Sequence, residues 1–177
     1  MIWADRENPR YRKLHLFLTP KERERLETWA SEDNDWQPGQ RQGSEHYKLD
    51  IKEYCAYKET LPWLYLLAGK ARGELEIPDD AEIDACLLYY PAGGWGLGWH
   101  KDPAPPGKKY ICLNAIVKEC AEGGDFVFEE LPGERPRVVT LHEGSAIVFS
   151  PSQFEHCLKG IKEGQQLVLS IGALVDE

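Results

Sequence analysis

The chain has 177 residues, 42% hydrophobic and 29% charged, with the charges dispersed along it; this excludes a disordered chain and predicts one globular domain over 1–177. A formal net charge of −9 without any run of Lys or Arg argues against a nucleic-acid partner, because phosphate backbones demand a basic footprint. Five cysteines with no Cys-x-x-Cys pair, an N-terminal Met1 to Arg6 lacking an apolar signal core, and no apolar stretch near the roughly 20 residues of a spanning helix predict a cytoplasmic protein with reduced thiols and no membrane contact.

Thr19-Pro20-Lys21-Glu22 opens the first clear element. Thr19 can cap the orphan amides, Pro20 suits the first helical position, and Glu22 stands where a capping box needs its acid, so a helix is expected to about Ala30. Ser31 to Ser44, with Pro38-Gly39, reads as a loop carrying Trp36, either packed on the core or placed as a lid over a substrate. His46 to Tyr57 alternates loosely, as a strand does. Thr60-Leu61-Pro62-Trp63 starts a second helix with a threonine cap, and Gly73 ends it. These helices make up the support in about 1–80, ahead of a β core in about 81–177.

From Ile83 the character changes. Ile83 to Tyr90, Tyr110 to Val117, Phe126 to Phe128, Val138 to Leu141, Ala146 to Phe149, Cys157 to Ile161 and Leu167 to Val175 read as short strands. Pro105-Pro106-Gly107, Gly123-Gly124, Pro132-Gly133, Glu143-Gly144 and Glu163-Gly164 divide them. Helices segregated at the front and many short strands behind predict an α+β chain whose body is a β-sandwich or jelly roll.

Trp99-His100-Lys101-Asp102 is the stretch that carries chemistry. On an extended strand the side chains of His100 and Asp102 point the same way, so an imidazole and a carboxylate can converge on one metal ion. A third ligand must come from elsewhere, and His156, opening a short apolar segment, is the candidate. Two neutral imidazoles and one carboxylate on one face of Fe(II) leave the other face open for O2 and a chelating substrate. His15, His46 and His142 are read as structural or surface residues. Gly94 to Trp99 reads as a flexible aromatic loop in which Trp95 and Trp99 either cover the substrate or merely pack.

Several motifs in one order carry a family resemblance: Tyr90-Pro91-Ala92-Gly93-Gly94, His100-Lys101-Asp102, Leu113-Asn114, Gly123 to Phe128, Glu143 to Phe149, and His156 through Gly164. The stretch from about Ile83 to Leu174 resembles the catalytic domain of prolyl-4-hydroxylase-like Fe(II)/2-oxoglutarate dioxygenases. The resemblance implies a double-stranded β-helix of the cupin-like jelly-roll type with N-terminal flanking helices. It also implies His100, Asp102 and His156 as iron ligands, and 2-oxoglutarate as cosubstrate with Tyr90 at its carboxylate; Asn114 is either a cosubstrate contact or a satisfied buried amide. With Asp102 present, hydroxylation is implied over halogenation, and the substrate is an amino acid, small metabolite or peptide side chain.

One departure stands against the resemblance. Family members carry an arginine or lysine nine or ten residues after the second histidine, where it pairs with the distal carboxylate of 2-oxoglutarate; here Gln165 and Gln166 occupy that place. Neutral amides bind a carboxylate about half as strongly as a charged fork. Either another cation reaches in, from Lys108, Lys109, Lys159 or Lys162, or a different 2-oxo acid is used, or the substrate itself chelates the iron. A non-catalytic metal-binding β-helix module is the reading from outside enzymology.

Overall fold

The computed structural model of the chain describes residues 10–32, 35–39, 45–129 and 135–177. Met1 to Arg6 and the Pro132-Gly133 turn lie outside them. In chain order the elements are β1 (Tyr11–Leu14), α1 (Pro20–Ser31), β2 (Gln37–Pro38), β3 (Tyr47–Asp50), α2 (Lys52–Ala56) and α3 (Pro62–Leu75). There follow β4 (Asp84–Tyr90), β5 (Leu97–His100), β6 (Lys108–Lys118), β7 (Glu122–Gly123), β8 (Phe126–Phe128) and β9 (Arg137–Val139). The last are β10 (Ala146–Phe149), β11 (His156–Leu158), β12 (Ile161–Glu163) and β13 (Gln166–Asp176).

The strands form a seven-stranded sheet in the order β1-β10-β6-β13-β4-β3-β2, a four-stranded sheet β5-β11-β8-β9, and the pair β12-β7. Every pairing is antiparallel. The central strands β10-β6-β13-β4 stack against the four-stranded sheet in the interleaved order of a double-stranded β-helix.

Strand alternation divides the apolar residues between two cores. Leu87, Leu113 and Leu169 point outward and pack with Leu26, Leu64, Leu67 and Ala71 of the helices. Cys112, Ile116, Val168 and Phe149 point inward and meet Phe126, Phe128 and Leu158 of the smaller sheet. The period-2 alternation of the long strands thus separates helix-facing from site-facing side chains. In α3, Leu64, Leu67, Ala68, Ala71 and Leu75 are buried, the spacing of one helical face.

Helix α1 begins as its sequence predicts: Thr19 accepts from the Glu22 amide and the Glu22 carboxylate accepts from the Thr19 amide at 2.7 Å. Elsewhere local signals are overridden. The expected strand from His46 to Tyr57 stops at Asp50, whose Oδ1 accepts the Lys52 amide at 2.9 Å and turns the chain into α2. Leu61, not Thr60, stands at the start of α3 and gives no side-chain cap, while Gly73 lies inside the helix. That helix ends on Glu76, held at φ 53°, whose amide donates back to the carbonyls of Arg72 and Gly73. The expected loop from Ser31 to Ser44 contains β2, and the expected aromatic loop before His100 contains β5.

Candidate metal and cosubstrate site

Strand β5 lies antiparallel to β11 with His100 directly opposite His156. Cross-strand partners project to the same face, and the two imidazole centroids stand 4.1 Å apart. Each ring is fixed from behind. His100 Nδ1 is 2.6 Å from the Gly98 carbonyl and His156 Nδ1 is 3.1 Å from the Phe154 carbonyl. A carbonyl can only accept, so each Nδ1 carries a proton, and in the neutral ring Nε2 is the nitrogen left to act as a metal ligand.

Asp102 lies beyond the end of β5 rather than on it. Its amide donates to the Pro151 carbonyl at 2.8 Å, which carries the turn back over the site. Asp102 Oδ1 is 3.8 Å from His100 Nε2. Donors on adjacent octahedral positions at about 2.1 Å from an ion are about 3.0 Å apart, so the carboxylate has under an ångström to close. Among the described residues no three His, Cys, Asp or Glu side chains already converge tightly enough to hold an ion. In donor type His100, His156 and Asp102 match the two-histidine, one-carboxylate set that holds one divalent metal, and the carboxylate would have to move inward to complete it.

His156 is 5% exposed and is enclosed by Phe149 and Phe128, whose ring centroids lie 4.9 and 6.3 Å away. Aromatic walls of this sort keep water from one side of the site. In front of the imidazoles opens a cavity of about 1040 Å³ between the two sheets, reached by His100, Asp102, His156, Tyr90 and Asn114. Tyr90 is buried and stacks on His46 at 5.5 Å. Asn114 Oδ1 is buried with no hydrogen-bond partner among the described residues. An unpaired buried amide oxygen is destabilising, and a bound group that donates to it removes the penalty.

Of the remaining sequence candidates Lys108 lines this cavity, whereas Gln165, Gln166, Trp36, Trp95 and Trp99 do not. Gln166 is 3% exposed, directly opposite Tyr90 on β13, but its Nε2 donates to the Gly124 carbonyl at 3.4 Å and its Oε1 accepts from the Cys120 thiol at 3.3 Å. Gln165 accepts from the Tyr89 hydroxyl at 3.0 Å on the sheet's outer side. Trp36 packs edge-on against Tyr89 and donates to the Ala30 carbonyl, lining a separate cavity beneath α1. Trp99 alternates with His100 along β5, so when the imidazole faces in, the indole faces out, 46% exposed. Trp95, between Gly93 and Gly96 at φ 77° and 70°, is turned outward and 79% exposed.

The sequence analysis took His46 for a structural or surface residue and singled out neither Lys48 nor Tyr110; all three line the cavity. The i, i+2 spacing of His46 and Lys48 was the available signal, since it puts both on one face of a strand. Tyr110 had a similar signal, four residues before Asn114 on β6.

No family model matches the sequence, and no curated protein matches it. Its fold does match solved structures. A prolyl-4-hydroxylase from Pseudomonas putida aligns with TM-score 0.67 at 16% identity, over 94% of this chain and 92% of that one. The viral collagen prolyl hydroxylase of Paramecium bursaria Chlorella virus-1, in its 2-oxoglutarate complex, aligns with TM-score 0.65 at 17% identity, over 98% and 100%. A prolyl hydroxylase from Trichoplax adhaerens, in complex with a hypoxia inducible factor peptide fragment, aligns with TM-score 0.65 at 13% identity, over 92% and 82%. At these identities the likeness is one of fold, and the fold of this chain is a double-stranded β-helix.

Proposed function

We propose that the chain is a one-domain Fe(II)-dependent oxygenase that uses 2-oxoglutarate and O2 to hydroxylate or otherwise oxidise a C–H bond. The observation that carries this reading is the facing pair His100 and His156, each held with Nε2 toward one cavity and with Asp102 at its rim. Bound iron would supply the activation of O2 that no side chain provides. The protein's part is to present two imidazoles and a carboxylate, hold their tautomers from behind, and offer Tyr90 and Asn114 to the bound acid. The likeness of fold to a prolyl hydroxylase in its 2-oxoglutarate complex supports the choice of cosubstrate.

The substrate is a small metabolite, an amino acid or a peptide side chain. A cavity of about 1040 Å³ is large enough for the cosubstrate and a side chain, and the likeness to a peptide-bound prolyl hydroxylase favours the peptide. A net charge of −9 disfavours nucleic acid. Among the described residues no helix is long and apolar enough to cross a membrane. Five free cysteines support a reducing, cytoplasmic setting. A second reading, an iron oxidase of a chelating substrate that needs no 2-oxo acid, is favoured by one observation: Gln166 is neutral and its amide is engaged by Gly124 and Cys120.

Metal analysis tests the ligand set. Wild type reconstituted without oxygen should retain one iron per chain after desalting, and His100→Ala and His156→Ala should each lose 10-fold or more in affinity. Full retention by both variants, with the fold intact by circular dichroism, would remove these histidines from the site.

A further inference from the structure

Three lysines reach the cavity between the sheets: Lys48, Lys52 and Lys108. Two are already matched, Lys52 by Glu82 and Lys108 by Asp176 at 2.8 Å. The lysines that follow His156 are taken as well, Lys159 by Asp125 at 3.2 Å and Lys162 by Glu122. Lys109 alternates with Lys108 and Tyr110 along β6 and so belongs to the opposite face. Lys48 is therefore the cavity lysine with no carboxylate paired to it among the described residues.

Its position is set by register. On β3 it lies opposite Leu88, Leu88 lies opposite Val168, and Val168 lies opposite Ile116, one row of side chains across the inner face. Tyr90 and Gln166 form the adjacent row. Two strand spacings, about 10 Å, separate the Lys48 and Val168 backbones, and a four-carbon stem covers much of that span. The ammonium already acts on this cavity, since its charge favours the thiolate of Cys86 on the same wall, against the larger effect of burial.

A 2-oxo diacid bound at a metal held by His100, His156 and Asp102 would extend into a cavity whose wall includes Leu88, Val168 and Phe149, all apolar. A carboxylate removed from water there needs a cation. Gln166 cannot serve, being neutral and held by Gly124 and Cys120. We propose that Lys48, from the added strand β3, takes over the task of the missing arginine and pairs with the distal carboxylate of 2-oxoglutarate. The proposal rests on the oxygenase reading above and deepens it.

The test is a calorimetric titration of Ni(II)-loaded protein, which binds without turning over, with 2-oxoglutarate and separately with pyruvate, a 2-oxo acid that has no distal charge. Lys48→Met should weaken 2-oxoglutarate binding on the order of 10- to 100-fold while pyruvate binding stays as in wild type, showing an intact fold and metal site. Lys48→Arg should restore most of the loss, and Lys52→Met should show none. If Lys48→Met binds 2-oxoglutarate as wild type does, or loses both acids equally, the assignment of Lys48 is overturned while the oxygenase reading stands. If wild type binds neither acid, the oxygenase reading itself fails, and this assignment with it.

Discussion

Asn114 shows the residue-scale compromise of a binding cavity. Its Oδ1 is buried without a partner among the described residues, an arrangement that costs about 1–3 kcal/mol in an unliganded protein. Asn114→Leu fills similar space and removes the orphan acceptor. The ligand-free variant should keep or raise the wild-type Tm, while loss of the Nδ2–H donor, the only end of the amide that can serve an acid's oxygen, lowers its affinity for 2-oxoglutarate about 10-fold. Thermal melts with and without the acid would check both halves; a lower Tm together with unchanged affinity would make Asn114 a purely structural residue. The proposed site residues came from two signals in the sequence, the local His-x-Asp spacing of His100 and Asp102 and the ordered motifs that single out the distant His156. Lys48 was not legible. Its role depends on β3 joining the edge of the large sheet beside β4, and a four-residue strand carries no mark of its pairing partner.

At the scale of elements, the contact of β5 with β11 makes the site. Gly96 is the residue that allows it: at φ 70° it sits so close to β11 that an added Cβ would lie 2.3 Å from the Leu158 carbonyl oxygen. Gly96→Ala should destabilise the fold by about 3 kcal/mol, roughly 6–12 °C in Tm for a chain of this size. It should also weaken metal binding by parting His100 from His156. Gly98, where a Cβ would meet nothing within 4 Å, is the control, and Gly98→Ala should melt near wild type. Equal Tm values for the two variants would show that the close approach is not structurally important. The sequence reading of this stretch as a flexible loop failed because its glycines signal freedom and close packing alike. The same ambiguity hid the end of α3, where Gly73 continues the helix and Glu76 takes the left-handed turn. By contrast β8 and β10, bounded by glycine turns and continuously apolar, run from Phe126 to Phe128 and Ala146 to Phe149 as read.

Over the whole molecule, two sheets and a helical layer bury thiols as ordinary core residues. Burial pushes Cys55 and Cys86 from the ordinary 9 up to about 12. Because the folded state holds these protons more tightly than the unfolded chain, their contribution to stability is complete below pH 9 and is lost progressively as pH rises toward 12. The Tm should therefore fall across that window more steeply than in a Cys55→Ala/Cys86→Ala double variant. At pH 8 both thiols should resist alkylation until denaturant is added, as peptide mass spectrometry would show; rapid labelling of native protein would contradict their burial. A β-sandwich or jelly roll was legible from many short strands behind two helices, and the double-stranded β-helix followed from the family resemblance, whereas the short strands β1, β2, β5 and β7 were not legible.

The most direct test of the central claim is an anaerobic titration of the Fe(II)-loaded protein with 2-oxoglutarate, followed in the visible spectrum. The proposed site predicts the weak charge-transfer band of a bidentate 2-oxo acid on iron, saturating below millimolar concentration and absent in His100→Ala. Iron demonstrably bound, with no band at any concentration of the acid, would contradict 2-oxoglutarate as the cosubstrate and leave direct oxidation of a chelating substrate as the reading of this cavity.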